Sequence, residues 1–270
     1  MNRILFSTGA VIGRPNNRDI TLLGECVNRL DCDGIEFLMY DSWYGKIDKI
    51  KESLSHFPLP VPVFHADKKI GDLISRNDSG DSENALELFA KNCALANDLG
   101  SEKIVLHLWN GILSDKNIDH NIEFYKPLRE IADSYDLSLM IENVVCNKAD
   151  PMTHLLTLSN IYPDIQFTFD TKMAAFHGQL EQLYKNEKLF KSIGHFHIND
   201  YGGGYMEWER LSTLHPGKGN IDFEKLFRFL KNMNYQGDYT IEATSFDKNG
   251  IIDFDTLNES LKKIRAYLDQ

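Results

Sequence analysis

Four short apolar runs in the second half of the chain each end on a side chain that can ligate a metal. The runs are SLMIEN (138–143) with Glu142, IQFTFDT (165–171) with Asp170, IGHFHIND (193–200) with His197 and DYTIEA (238–243) with Glu242. Each is too short for a helix and rich in β-branched and aromatic residues, so each reads as a strand with its polar residue at the C-terminal edge. Helix-patterned segments separate the runs, and strands alternating with helices imply a parallel sheet. In a closed parallel barrel the C-terminal strand ends converge at one rim. Three carboxylates and an imidazole meeting there would repel one another unless a divalent cation held them together.

The first half carries the same alternation. Strand-like runs are RILFS (3–7), GIEFL (34–38), VPVFHAD (61–67) and KIVLH (103–107). Helices are predicted over about 19–30, 43–56, 119–135 and 177–189, with a short one opened by Pro151. The segment KKIGDLISRNDSGDS (68–82) reads as a polar loop. Beyond it Leu86, Phe89, Cys93, Ala96 and Leu99 recur at helical spacing, with Asp81 or Ser82 as N-cap and Gly100 as stop. Asp222 is placed to cap a helix with Phe223, Leu226, Phe227 and Leu230 inside, and Leu257, Leu261, Ile264 and Leu268 mark the closing helix. The count of eight strands and the lack of a Gly-rich turn after the first favour an α/β fold, a single (β/α)₈ barrel over residues 1–270, over an open doubly wound sheet.

A net charge of −11 and a pI near 5.3 argue against a nucleic-acid partner, which usually meets a basic face. No run approaches the roughly 20 apolar residues of a membrane span. Cys26, Cys32, Cys93 and Cys146 show no C-x-x-C spacing and read as reduced thiols of a cytoplasmic protein; a homo-oligomer is allowed but not specified.

The motifs IEN (141–143), FDT (169–171), HIND (197–200), HPGKGNIDF (215–223) and YQGDYTIEA (235–243) resemble the xylose isomerase-like barrel superfamily of sugar isomerases and epimerases, which also contains endonuclease IV. The resemblance covers nearly the whole chain. It implies one divalent ion (Mn²⁺, Mg²⁺, Co²⁺ or Zn²⁺) on Glu142, Asp170, His197 and Glu242, and a small sugar-like substrate. By likeness to ketose 3-epimerases, Glu142 and Glu242 would move a proton next to a carbonyl, giving isomerisation or epimerisation of a sugar, sugar phosphate or cyclitol. The same chemistry with a leaving group on the next carbon gives a dehydratase, which stays open. So, at lower weight, do an endonuclease IV-like hydrolase and a non-catalytic binding barrel.

Two departures speak against the nuclease. Met173 stands where the family carries a histidine, and no Asp-x-His pair precedes HPGKG. His65 and His107, which end strands 3 and 4, match zinc-binding histidines of endonuclease IV and substrate-lining positions of the sugar enzymes. They are expected in the substrate pocket, with Glu36 on a hydroxyl, Trp109 as an apolar wall, Lys172 or His177 in place of the lost histidine, and Lys218 as an anion contact. His195 is expected inside the barrel.

Overall fold

The structure, a computed structural model, describes residues 2–269, so the expected outer limits at 1 and 270 lie just outside the described residues. Eight parallel strands close into a barrel in sequence order: β1 Ile4–Ser7, β2 Gly34–Leu38, β3 Val63–His65, β4 Lys103–Leu106, β5 Ser138–Glu142, β6 Gln166–Asp170, β7 Ile193–His197 and β8 Asp238–Ile241. The α/β fold expected from the alternation is the fold observed.

The two faces of each strand have different fates. Ile35, Phe37, Phe64, Ile104, Leu106, Leu139, Ile141, Phe167, Phe169, Phe196, Tyr239 and Ile241 join the main core beneath the helices. The alternate residues face the barrel axis, where Leu5, Val63 and Val105 form a separate apolar cluster. Below it, at the N-terminal strand ends, Asp238 meets Lys103 and Arg3, each at 2.8 Å. Above it the axis turns polar: Glu36, Thr168, His195 and Thr240 are fully buried. The ligand candidates follow at the top.

The helices depart from expectation where short polar elements interrupt the apolar pattern. Residues 69–76, expected as loop, form the helix Lys69–Arg76, with Ile70, Leu73 and Ile74 buried. Its Gly71 packs so close to β4 that a Cβ would lie 2.2 Å from the His107 carbonyl oxygen. The helix Ser79–Asp98 starts earlier than expected because Asp78, not Asp81 or Ser82, accepts from its first amides. The helix expected over 19–30 is limited to Ile20–Leu22 and Leu23–Cys26. The one expected over 177–189 is replaced by Thr171–Phe176, Leu180–Leu183 and Glu187–Lys191, broken after His177 by Gly178 at φ +63°. Asp222 does cap Phe223–Asn232, accepting from Lys225 N.

Candidate metal centre

Parity along the strands brings the ligand candidates together. Glu142, Asp170 and His197 are the last residues of β5, β6 and β7, and Glu242 follows β8 by one position. Each offers one donor atom, and the four donors lie within 4.8 Å of one another. The donors are nearly shielded from solvent: the side chains of Glu142 and His197 are 2% and 0% exposed, that of Glu242 13%.

His197 shows what the group lacks. Its Nε2 lies 3.1 Å from Glu36 Oε2 and donates to it. Nδ1 faces Glu142 Oε1 at 3.3 Å and Glu242 Oε2 at 3.2 Å. A lone pair cannot face two carboxylate oxygens at that distance without a positive charge between them. In the protein alone a proton supplies it. Burial opposes charge on the ring, yet Glu242, Glu36 and Glu142 raise its pKa well above the ordinary value. A divalent cation on the same oxygen and nitrogen donors would displace that proton, so the donor set fits one.

The carboxylates respond to this crowding differently. Burial pushes the Asp170 carboxyl up to about 6, with Lys172 opposing and the charges of Glu142 and Glu242 adding to the rise. Burial acts in the same sense on Glu242, but His197 overrides it and holds that carboxyl at about 2. Glu142 is likewise held well below the ordinary range, its burial outweighed by His107 and His197.

Two asparagines, not singled out from the sequence, fix the oxygens. Asn199 Nδ2 donates to Asp170 Oδ2 at 2.8 Å and to Glu242 Oε2 at 3.1 Å, while its Oδ1 accepts from Glu242 N. Asn143 bridges strands by donating to Asp170 O and accepting from Asp170 N. Both lie inside the IEN and HIND motifs, so the signal was present. Asp170 Oδ1 also caps the helix Thr171–Phe176 through Met173 N, so this acid is helix cap and ligand candidate at once.

The other expected site residues divide. His107 Nε2 lies 2.8 Å from Glu142 Oε2 and His65 Nε2 lies 3.2 Å from the same atom, with His65 Nδ1 donating to Ala66 O. Both rings are buried and grip Glu142 instead of standing free in a pocket. Burial lowers the His107 pKa to about 4 despite Glu142. With Glu142 they form a second group of cation donors. Glu36, expected on a substrate hydroxyl, is fully buried beneath the centre and shared by His195 and His197 at 2.9 and 3.1 Å. Burial pushes its carboxyl up, but the two rings outweigh this and hold it well below the ordinary range. His195 lies inside the barrel as expected, bonded also to Thr240 Oγ1.

Trp109 is fully buried and not a wall of the site: its Nε1 donates to Val144 O and its ring meets His154 edge-on. His177 is turned to the loop after β5, accepting from Cys146 N. Lys218 is exposed in its turn, as a solvated lysine would be. Lys172 is buried with Nζ on Thr213 Oγ1, near enough to Asp170 to oppose the rise of its pKa. Asp115, Cys146 and His154 also cluster, but Asp115 commits its oxygens to three backbone amides (Asn147, Lys148, Ala149) and His154, tying two rim loops together.

One cation at the rim was missed. Lys68, just beyond β3, is exposed as a residue, but protein around its ammonium disfavours the charge. Glu242, Glu142 and Asp170 outweigh that effect and raise its pKa.

The known proteins that resemble the chain agree on architecture. D-Allulose 3-epimerase from Methylomonas sp. superposes with a TM-score of 0.73 at 17% identity, covering 99% of this chain and 98% of that one. L-Ribulose 3-epimerase gives 0.73 at 19%, over 100% and 95%. An IOLI protein with a bound zinc atom gives 0.73 at 15%, over 99% and 98%. At such identities these superpositions speak to the fold alone. An uncharacterized protein of Methanocaldococcus jannaschii is 29% identical over 157 residues, 54% of this chain and 52% of that protein. Inosose dehydratase of Bacillus thuringiensis is 30% identical over 91 residues, 29% of this chain and 30% of its own length. The chain thus spans about half or less of these curated relatives. The family model described as the xylose isomerase-like TIM barrel, in contrast, matches residues 25–267. With the closed eight-stranded barrel in place beneath that match, the chain belongs to the xylose isomerase-like TIM barrel family.

Proposed function

We propose that this barrel is an enzyme that binds one divalent cation on Glu142, Asp170, His197 and Glu242. It would use the two glutamates to move a proton next to the carbonyl of a small polyhydroxylated substrate, as an isomerase or epimerase. The observation that carries the reading is His197 Nδ1, held by Glu36 on its far side and aimed between two carboxylate oxygens. The epimerases among the structural neighbours and the inosose dehydratase match support the substrate class.

The cation would polarise a substrate carbonyl and the hydroxyl beside it, acidifying the C–H between them. This chain supplies the rest. Glu142 is gripped by three rings, His65, His107 and His197, and stays ionised, so it is oriented as an acceptor. Glu242 carries its carboxylate from β8, held by Asn199, and is the more open of the two. One glutamate takes the proton as the C–H bond breaks and its electron pair forms the C=C bond. The same glutamate returns it to the same face, whereas inversion requires the other glutamate to carry a proton drawn beforehand from solvent and to deliver it to the opposite face, leaving the first glutamate protonated. Burial of Glu142 and near-burial of Glu242 limit the access of bulk water to that proton.

A dehydratase is the second reading, favoured by the curated match to inosose dehydratase. It shares the proton abstraction and differs in losing a hydroxyl from the next carbon. Elemental analysis followed by solvent-deuterium exchange on a panel of ketoses and inososes tests both. Metal-dependent exchange with recovery of an isomer supports the first, and loss of water the second. Absence of both metal and exchange would overturn the proposal.

A further inference from the structure

We propose that Lys172, together with Thr213, receives a carboxylate carried by the substrate, so that the compound turned over is a keto sugar acid rather than a neutral ketose. The proposal rests on the proton-transfer reading above and narrows its substrate. Lys172 lies in the first turn of the helix Thr171–Phe176, two residues past Asp170, and is 8% exposed. Its Nζ donates to Thr213 Oγ1 at 2.8 Å, and this bond fixes where the ammonium stands.

Both ends of that bond are tied to the same short segment after β7. On one side Thr171, the residue before Lys172, donates through Oγ1 to Asn199 O at 2.6 Å and accepts from Asn199 N at 3.0 Å. On the other Leu214, the residue after Thr213, exchanges two backbone hydrogen bonds with Asp200, at 2.8 and 3.1 Å. The ammonium is therefore held beside Asn199 and Asp200. Asn199 is the residue whose amide holds Asp170 Oδ2 and Glu242 Oε2, so the lysine borders the centre without joining it.

What the pair lacks is an anion. Of the three N–H donors of the ammonium one is used, and Thr213, having accepted, keeps its own O–H to give. Among the described residues no carboxylate lies within ion-pair distance of Lys172, unlike Lys103, whose Nζ is 2.8 Å from Asp238. A buried ammonium without a counter-charge is costly, and an anion seated against it removes that cost. Thr213 is only half-buried, so the pair can be reached from outside. The free N–H and O–H donors suit the two oxygens of a carboxylate, and one ammonium balances its single charge. A phosphate monoester brings roughly two negative charges, and its excess charge would stand beside three acids.

The experiment measures solvent-deuterium exchange by the manganese-loaded protein on a neutral hexulose, its phosphate ester and the hexulose bearing a terminal carboxylate. Wild type should favour the acid in kcat/KM. K172M keeps the length of the side chain and removes its charge. It should lower the acid-to-neutral ratio about 10–100-fold, the worth of a hydrogen bond to a charged group. The loss should lie in KM for the acid, and K172R should keep most of the preference. Binding of D-glucuronate, with D-glucose as the neutral control, is measured by calorimetry on the same proteins and should weaken by the same factor in K172M. An unchanged ratio overturns the proposal. So does an equal loss on acid and neutral substrate, because the lysine would then only pin the loop that carries Thr213. A wild-type preference for the phosphate ester overturns it as well. If wild type exchanges no substrate, the proton-transfer reading falls and the glucuronate titration decides the site by itself. Binding that depends on Lys172 sustains it, and binding that does not removes it.

Discussion

Buried acids occupy both ends of this barrel. At the N-terminal end Asp238, 5% exposed, receives Arg3 and Lys103 at 2.8 Å each, and its carboxyl is held at about 2 because their hydrogen bonds outweigh its burial. At the C-terminal end Glu142, Asp170 and Glu242 crowd around one imidazole, with no lysine or arginine within ion-pair distance among the described residues. An acid that serves the fold brings its own cations. Acids that serve a ligand leave the charge unbalanced, and barrel stability gives no reason to keep that imbalance.

The sharpest way to break this comparison is Glu142→Gln or Glu242→Gln. Each keeps an oxygen donor and removes a proton acceptor, so turnover should fall about 10²–10⁴-fold in metal-loaded protein. Near-normal rates in both would place the base elsewhere, with Lys172 and His107 next in line. Glu36→Gln probes the layer beneath. It weakens the acceptor that holds His197 Nε2, and cation affinity should drop about 10–100-fold by calorimetry. Elemental counts on the same samples show whether the second donor group, His65 with His107 and Glu142, adds another ion.

Asp238→Asn should do the reverse. Stripping Arg3 and Lys103 of their partner should cost about 3 kcal/mol of stability in chemical denaturation, while cation affinity changes less than two-fold. A coupled loss of both would show that the two ends are not independent.

The smallest effect separates the ends by pH. Asp238 has a folded pKa of about 2 against an ordinary 3.8. Its contribution, about 2 kcal/mol, is present above the ordinary value and lost as pH falls from about 4 to 2. Asp170 is shifted the other way, to about 6 without a cation. The folded protein holds that proton longer, so metal-free stability should decline as pH rises between about 4 and 6. Because a cation must displace the same proton, its affinity should fall as pH drops below about 6. A flat affinity between pH 5 and 7 would remove both Asp170 and His197 from the ligand set, because each has to shed a proton to bind.

The strands and their endings were legible because a buried parallel strand imposes a short β-branched and aromatic run, and because side-chain period two sets which residue meets the axis. Those rules alone put Glu142, Asp170, His197 and Glu242 on one rim and His195 inside. The helices were less legible. Residues 69–76 carry Ile70, Leu73 and Ile74 at helical spacing, but Gly71 and the flanking charges mask the pattern. The glycine is there because β4 leaves no room for a Cβ, a long-range contact that no local window contains.

What the sequence determined by itself was therefore the barrel, its rim and the meeting of four candidate donors there, since alternation and parity are local properties of the chain. What only the tertiary structure decided was the purpose of the residues around them. Glu36 left the substrate list for the underside of His197, and Trp109 and His177 turned to neighbouring loops. Lys68 stands just past β3, opening a helix in a segment read as a polar loop. Each of these depends on which way a side chain meets elements far away in sequence, and that direction is fixed by closure of the barrel rather than by the residue's own neighbours.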